Sequence, residues 1–447
     1  MLNELTKSPQ GRIAHGIARK LRLGGFSAHF AGGCVRDALL GLSPQDIDIA
    51  TSARPDEIMA MFPECRAVGA SFGVVLVRIG EFDFEVATYR SEGEYSDGRR
   101  PDSVNFCSPE EDVKRRDFTV NAMLYDPEAE ELMDIVGGRA DLEARIIRAV
   151  GNPEARFSED HLRMLRAARF SAKLGFEIET ATAEAIRKNA GLIERISSER
   201  IAVEMEHILT GRRPAFAIRL MDELGLLERI LPEVVALKGI EQPRNLHPEG
   251  DVFTHTMICL DRIPEHPSFE LALATLLHDI GKPDAQKESP PGRFFDHERI
   301  GVNLTRHICK RLKLSKKTTD RVLWLVGRHM CFLHAPQMRL SKLKTLFAED
   351  GFGELAEIHK VDAMASSGDL SHYDLVMKIK EGIPEREISP DPLIRGKDLI
   401  RMGLEPGPVF SKILKQVREA QLDGTVKNRR EAREMAGRLA ADLQDAE

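Results

Sequence analysis

The 447-residue chain has one tryptophan and four tyrosines, and aromatic residues make up only 6% of it. So thin an aromatic supply argues against an aromatic-rich lectin-like or repeat protein. No apolar run approaches the roughly 20 residues that cross a bilayer as a helix, and the start, with Glu4 and Pro9, lacks the apolar core of a secretory signal. A cytoplasmic protein with no membrane partner is expected. The six cysteines (Cys34, Cys65, Cys107, Cys259, Cys309 and Cys331) are scattered, without the close spacing of a zinc or redox pair, and read as reduced thiols. Positive charge is not in excess either: 64 Lys and Arg against 71 Asp and Glu leave a formal net charge of −7. Any nucleic-acid surface must therefore be local.

What is present, 42% hydrophobic and 30% charged residues over this length, predicts a globular chain of two to four domains. Ile13, Ile17 and Leu21 fall at helical spacing. An apolar stretch at 28–31 follows, then a glycine pair and a short helix ending near Gly41. Residues 46–50, 72–79 and 82–89 read as β-strands, the last two joined by a Gly80-Glu81 turn into a hairpin. The stretch 91–111 is polar and broken, and a mobile loop is expected there. Beyond Gly151 helical periodicity dominates, and prolines at 290–291 and 384–392 interrupt it. The expected organisation is a head at 10–150, a helical neck at 151–240, a histidine-rich helical unit at 241–375 and a helical tail at 385–447. The fold class is α+β, a small α/β head followed by helical segments.

Gly32 and Gly33 follow a strand and open a helix, which lets backbone N–H groups face an anion, with Arg36 one turn along. Asp46 and Asp48, two apart in a β-run, send both carboxylates to one face while Ile47 and Ile49 point into the core. Two acids side by side repel, and Mg²⁺ bound to a triphosphate relieves that repulsion. A third acid is expected from the next strand. Asp83 and Glu85 are the candidates, taken to lie on opposite faces so that one of them serves.

Gly32-Gly33-Cys34-Val35-Arg36-Asp37, Asp46-Ile47-Asp48 and Arg115-Arg116-Asp117-Phe118-Thr119-Val120-Asn121-Ala122 occur in this order. Together they resemble the class II tRNA nucleotidyltransferase and bacterial poly(A) polymerase family. The resemblance implies a nucleotidyltransferase head using two-metal chemistry with Mg²⁺ on Asp46 and Asp48, and it selects Glu85 as the third acid. It implies that Arg116, Asp117 and Asn121 contact ribose and phosphates, and that the polar stretch before them is a loop that orders the site.

In the neck, Asp160, Arg163, Arg166 and Arg169 stand at three-residue steps, expected along one side of a helix. By the same resemblance Asp160 and Arg163 read a base. A carboxylate accepts from the exocyclic amine of cytosine or adenine while guanidinium donates to the ring nitrogen, a pattern that uracil and guanine reverse. CTP and ATP are the implied nucleotides, with Arg166 and Arg169 binding triphosphate or holding the reading pair. Ser198-Glu199-Arg200-Ile201 and Glu204 look like the neck motif of the same family, supporting the reading helix.

His255, the pair His278-Asp279 in Leu-Leu-His-Asp-Ile-Gly-Lys, and Asp362 resemble the HD metal-dependent phosphohydrolase superfamily, with His297 and His329 available for a second metal. Imidazole with carboxylate suits Mn, Fe, Ni or Zn better than Mg. The tail segment Gly396-Lys397-Asp398-Leu399, followed by basic residues from Lys412 to Arg433, also resembles the first family and could lie along tRNA backbone. The sequence reading is thus a CCA-adding tRNA nucleotidyltransferase acting on the tRNA 3′ end, with no DNA partner. Poly(A) polymerase and a CC-only or A-only enzyme stay open. So does an HD phosphohydrolase whose head only binds RNA.

Overall fold

In the computed structural model, the described residues are 2–69, 73–92, 104–243, 247–290 and 292–444. The chain divides into two compact units, Met1–Val235 with a short excursion at Arg311–Lys313, and Ala236–Lys310 with Leu314–Glu447.

The first unit opens with α1 (Pro9–Leu23), whose N-cap Ser8 accepts from Gly11 N and whose Ala14, Ile17, Ala18 and Leu21 are buried. Then come β1 (Ala28–Ala31), α2 (Gly33–Leu39), β2 (Asp48–Thr51), α3 (Pro55–Met61), β3 (Cys65–Gly69), β4 (Val74–Ile79) and β5 (Phe82–Thr88). A short ladder of β6 (Arg90–Glu92) and β7 (Val104–Phe106) leads into α4 (Pro109–Lys114), followed by β8 (Leu124–Asp126) and β9 (Glu131–Met133). One mixed sheet runs β3-β4-β5-β2-β1-β8-β9. β2 lies near its centre, antiparallel to β1 (Phe30↔Ile49) and parallel to β5 (Ile49↔Val86). Phe30, Ile49, Val75, Phe84 and Val86 are buried in the core.

Three sequence expectations change here. The Asp-Ile-Asp strand begins only at Asp48, with Asp46 just ahead of it. The polar stretch 91–111 is not free of structure, since β6, β7 and the start of α4 occupy its described part. Residues 93–103, expected as a mobile loop, lie outside the described residues. On β5, Asp83 and Glu85 share a face, as positions two apart on a strand must: both are exposed while Phe84 and Val86 are buried.

The unit continues through α5 (Gly138–Ala144), β10 (Ile146–Ile147), α6 (Pro153–Glu159), α7 (Arg163–Leu174), β11 (Glu177–Ile178), α8 (Thr180–Asn189) and α9 (Ser198–Leu209). α7 buries Met164, Leu165, Ala167, Ala168 and Phe170, and α9 packs against it.

The second unit is helical. Val252–Arg262 packs between Phe269–Leu277 and Phe352–Ala365, burying Met257, Cys259, Leu260, Leu273, Leu276 and Ile358. Toward the end of the chain Pro408–Leu422 and Arg429–Gln444 form a pair around Leu399, Ile413, Val417, Ala432 and Ala436. Lys412, Lys415, Lys427, Arg429, Arg430 and Arg433 are exposed there, whereas half-buried Arg418 donates to Pro390 O at 2.6 Å.

Gly281 makes a close backbone approach in this unit. A Cβ on it would lie 2.1 Å from His297 O and 2.7 Å from Gly301 N, both backbone atoms. Gly281→Ala is expected to destabilise the second unit by about 1–3 kcal/mol through overpacking. Gly191→Ala, with nothing within 4 Å of its added methyl, is expected to stay within about 0.5 kcal/mol of wild type in the same thermal melts.

Candidate active site and a buried histidine cluster

The head site is built on the edge where β1 ends and β2 begins. Gly32 takes φ 71°, a backbone state that favours glycine, and a Cβ there would come 3.2 Å from Arg116 Nη1. Its own N–H donates to Met123 O at 3.3 Å, so the amides available to an anion are those of the first turn of α2. Asp46 and Asp48 are exposed, whereas Ile47 and Ile49 are buried, as the alternation requires. The parallel register Ile49↔Val86 puts Asp48 beside Glu85 one step earlier. Desolvation by the surrounding protein, then the charges of Glu85 and Asp46, push the Asp48 carboxyl up to about 6 against the opposing pull of Arg116. Asp83 instead sits near the turn and pairs with Arg78 at 3.5 Å. Three carboxylates crowded on an exposed face fit oxygen-preferring divalent cations.

Behind them three arginines are held in place. Buried Arg36 donates through Nε to Asp37 at 2.7 Å and through Nη1 to Asn121 Oδ1. Arg116 donates to Asp112 at 3.0 and 3.3 Å, and Arg115 bonds the same buried carboxylate at 2.7 and 2.9 Å. Asp117 accepts from Asn121 Nδ2 (3.2 Å), Phe118 N (2.8 Å) and Arg166 Nε (2.8 Å). Burial alone would raise the Asp117 carboxyl, but the Arg166 guanidinium and these hydrogen bonds hold it down at about 2. Its stabilisation of the fold is therefore complete above its ordinary value near 4 and disappears as pH falls through about 2.

The neck residues are not on one helical face as expected. α6 ends at Glu159, Asp160 is extended (φ −137°, ψ 104°), and α7 starts at Arg163. The Asp160 carboxylate bonds Leu162 N at 3.1 Å, a local turn that competes with helix. Its other oxygen accepts from Arg200 of α9 at 2.8 Å. Arg163, nearly buried, donates to Glu159 (2.6 Å), Arg156 O (3.0 Å) and Arg115 O (3.0 Å). Arg169 reaches Glu204 at 2.9 Å, and Arg166 approaches the same carboxylate at 3.8 Å. Asp112 escaped the sequence reading, which named Asp37 only within the glycine motif; Arg200 and Glu204 were expected to support the reading helix, and they contact Asp160, Arg166 and Arg169. Asp112 carried a signal, since it stands three and four residues before Arg115 and Arg116 on a helix.

In the second unit, His255, His278, Asp279, His297, His329 and Asp362 converge. Asp279 Oδ2 lies 3.3 Å from His278 Nε2 and 3.9 Å from His255 Nε2, while its Oδ1 lies 3.5 Å from His297 Nε2 and 3.8 Å from His329 Nε2. Asp362 Oδ1 is 3.1 Å from His255 Nε2. Three of the histidines direct Nδ1 at a carbonyl three residues back: His278 at Thr275 O, His297 at Phe294 O and His329 at Val326 O, each at 2.8 Å. A nitrogen facing a carbonyl carries the proton, so in the neutral imidazole each Nε2 presents a lone pair inward. His297 and His329 thereby oppose two lone pairs 3.2 Å apart, and His278 Nε2 is buried without a hydrogen-bond partner. Burial, then His278 and His297, lower the His329 imidazole to about 3, which keeps it neutral. Inward lone pairs with backbone-fixed tautomers fit a metal centre. The sequence reading missed Glu249, which orients His255 Nδ1 at 2.7 Å, together with His247 and Cys259; it also missed Lys282, 2.6 Å from Asp279. The i, i+4 spacing of His255 and Cys259 was the readable signal.

Three segments match known families: residues 28–148 the Poly A polymerase head domain, residues 175–237 the probable RNA and SrmB-binding site of polymerase A, and residues 252–361 the HD domain. The chain is 49% identical over 425 residues to the CCA-adding enzyme of Ligilactobacillus salivarius, covering 93% of each chain. It is also 49% identical over 219 residues to the CCA-adding enzyme of Geobacillus thermodenitrificans, where the match spans 49% of this chain and 54% of the relative, about half its length. The crystal structure of the Bacillus stearothermophilus CCA-adding enzyme in complex with CTP matches with a TM-score of 0.76 at 30% identity, covering 98% of this chain and 100% of the other.

Because Asp48 binds a proton more readily than an ordinary carboxylate, protons and Mg²⁺ compete for it. Mg²⁺ is expected to raise the melting temperature at pH 7.5 and to lose that effect as pH falls through about 6. Asp48→Asn, which removes the repulsion, should melt at or above wild type without Mg²⁺ and gain less from adding it.

Proposed function

The chain belongs to the CCA-adding enzyme family, and from that membership we propose that it is a template-independent tRNA nucleotidyltransferase, adding or repairing the 3′-terminal CCA with CTP and ATP. The observation that carries the reading is one juxtaposition. The carboxylates Asp46, Asp48 and Glu85 lie beside the Gly32 turn, and the Asp117–Arg166 pair ties that head to the segment bearing Asp160 and Arg163.

In the transfer, the primer 3′-oxygen bonds to the α-phosphorus of the nucleotide and the bond from that phosphorus to the bridging oxygen of pyrophosphate breaks. Asp46 and Asp48 would hold Mg²⁺, which when bound lowers the pKa of the hydroxyl and neutralises charge on the leaving pyrophosphate. The chain's own groups do the placing. The first-turn amides of α2 face phosphate, and Arg116 and Asn121, fixed by Asp112 and Asp117, face ribose and phosphate. Asp160 accepts from the exocyclic amine of cytosine or adenine, and Arg163 donates to the ring nitrogen. Arg200 and Glu159 hold these two side chains before a base arrives, so selection needs no nucleic-acid template. The exposed cations between Lys412 and Arg433 supply a basic strip for tRNA backbone. The described residues contain no helix long and apolar enough to cross a membrane, and we place the enzyme in the cytoplasm.

A second reading applies to the second unit. The opposed lone pairs of His297 and His329 favour a transition metal there, with His255, His278, Asp279 and Asp362 completing the donors and phosphohydrolysis at RNA ends the associated chemistry.

The purified protein should extend tRNA transcripts lacking CCA, CA or A to a product ending in CCA, and leave UTP and GTP unused. Asp46→Ala should lower the rate about a thousandfold or more. Long A tracts on generic RNA would instead identify a poly(A) polymerase, and addition of only CC or only A a partial enzyme. For the second unit, His278→Ala is expected to lose bound Mn, Fe, Ni or Zn in elemental analysis and any RNA-end phosphatase activity while keeping CCA addition.

A further inference from the structure

Each arginine around the head–neck site has a carboxylate close by. Arg36 pairs with Asp37, Arg116 with Asp112, Arg163 with Glu159, Arg166 with Asp117, Arg169 with Glu204 and Arg200 with Asp160. These contacts span 2.6–3.0 Å, and they fix the guanidinium groups before any ligand binds. Lys173, in the last turn of α7, differs. Its Nζ lies 3.9 Å from Asp37 Oδ2, beyond hydrogen-bond reach, and Asp37 is already shared with Arg36 at 2.6 Å. The Lys173 side chain is 46% exposed, against 2% for Arg36. Partial burial and the charges of Asp37, Arg36, Arg169 and Asp46 act on it, with Asp37 the carboxylate it approaches. Arg36 Nη2 lies 3.5 Å from where a Cβ on Gly33 would be, so Arg36 and Asp37 connect Lys173 to the glycine turn.

A nucleoside triphosphate brings about four negative charges into this site, and paired arginines offer them orientation but little surplus charge. Lys173, which shares the Asp37 carboxylate with Arg36 as Arg115 shares that of Asp112 with Arg116, adds a charge in excess. A flexible ammonium with three donors suits phosphates that change position between substrate and leaving pyrophosphate. We propose that Lys173 binds the β- and γ-phosphates of the incoming nucleotide and the pyrophosphate released from it. The inference rests on the nucleotidyl-transfer reading above, and it makes Lys173 a phosphate-binding residue with no part in choosing the base.

The test is calorimetric titration of the full-length protein with Mg²⁺ and inorganic pyrophosphate, CTP or CMP, using wild type, Lys173→Gln and Lys173→Arg. Lys173→Gln is expected to weaken pyrophosphate and CTP about tenfold, the loss of one charge-assisted contact. CMP, which lacks both phosphates, should bind unchanged, and Lys173→Arg should keep most of the wild-type affinity. In turnover the KM for CTP and ATP should rise by a similar factor, with the choice of CTP and ATP over UTP and GTP unaltered. Wild-type affinity for pyrophosphate in Lys173→Gln, no pyrophosphate binding by wild type, or equal losses for CMP and CTP would each overturn the proposal. The last outcome would mark Lys173 as a merely structural partner of Asp37. The same wild-type preparation is assayed for CCA addition, so an inactive wild type counts against the transferase reading and a normal Lys173→Gln in an active one counts against this inference alone.

Discussion

The ion pair between Asp117 and Arg166 is the constraint from which the first unit is organised. Asp117 belongs to the head motif and is nearly buried, while Arg166 comes from α7. Removing the arginine would leave a desolvated carboxylate with only neutral donors, at a cost of about 3 kcal/mol. Asp117 also holds Asn121, which accepts from Arg36, and Arg36 braces Asp37. On the other side Arg166 and Arg169 share Glu204 of α9. The glycine turn, the head motif, α7 and α9 are thus connected through ion pairs and the Asn121 amide. A shift in any one of them changes the others, because within a low-dielectric interior a partly satisfied network is costlier than an intact one.

The two acidic centres suit different ions for physical reasons. In the head the carboxylates are exposed and crowd one another, an arrangement that a hydrated, oxygen-preferring cation relieves while keeping waters and substrate oxygens in its shell. In the second unit the donors are buried imidazoles, with tautomers fixed by the carbonyls of Thr275, Phe294 and Val326. Buried nitrogen lone pairs facing each other have no proton to share, and they favour a softer ion. His255 is held differently, with the Glu249 carboxylate at Nδ1 and the Asp362 carboxylate facing Nε2.

Much of this was readable along the chain wherever one-dimensional spacing and three-dimensional neighbourhood coincide. The alternation of Ile47 and Ile49 with Asp46 and Asp48 gave the correct faces, and the 80–81 turn gave the hairpin. The same rule, applied properly to Asp83 and Glu85, puts both on one face; what separates them is the β2–β5 register, which brings Glu85 and not Asp83 beside Asp48. Three-residue steps suggested that Asp160 shares a helix with Arg163. The aspartate instead caps the following turn, because a short carboxylate bonds nearby backbone amides more favourably than it continues a helix.

By itself the sequence determined the strands near 46–50, 72–79 and 82–89 and the helical character beyond Gly151, that the glycine turn precedes the paired acids, and that histidines and aspartates recur along the helical half. Those properties depend on local sterics and on hydrophobic periods of two and 3.6 residues, which are written into consecutive residues. Only the tertiary structure decided which carboxylate each arginine takes, which nitrogen of each histidine faces inward, and that Lys173 approaches the carboxylate that Arg36 already holds. Pairing energies fall off over a few ångströms of space, and residues as far apart in sequence as Asp117 and Arg166, or Asp160 and Arg200, come within that range only when the chain is folded.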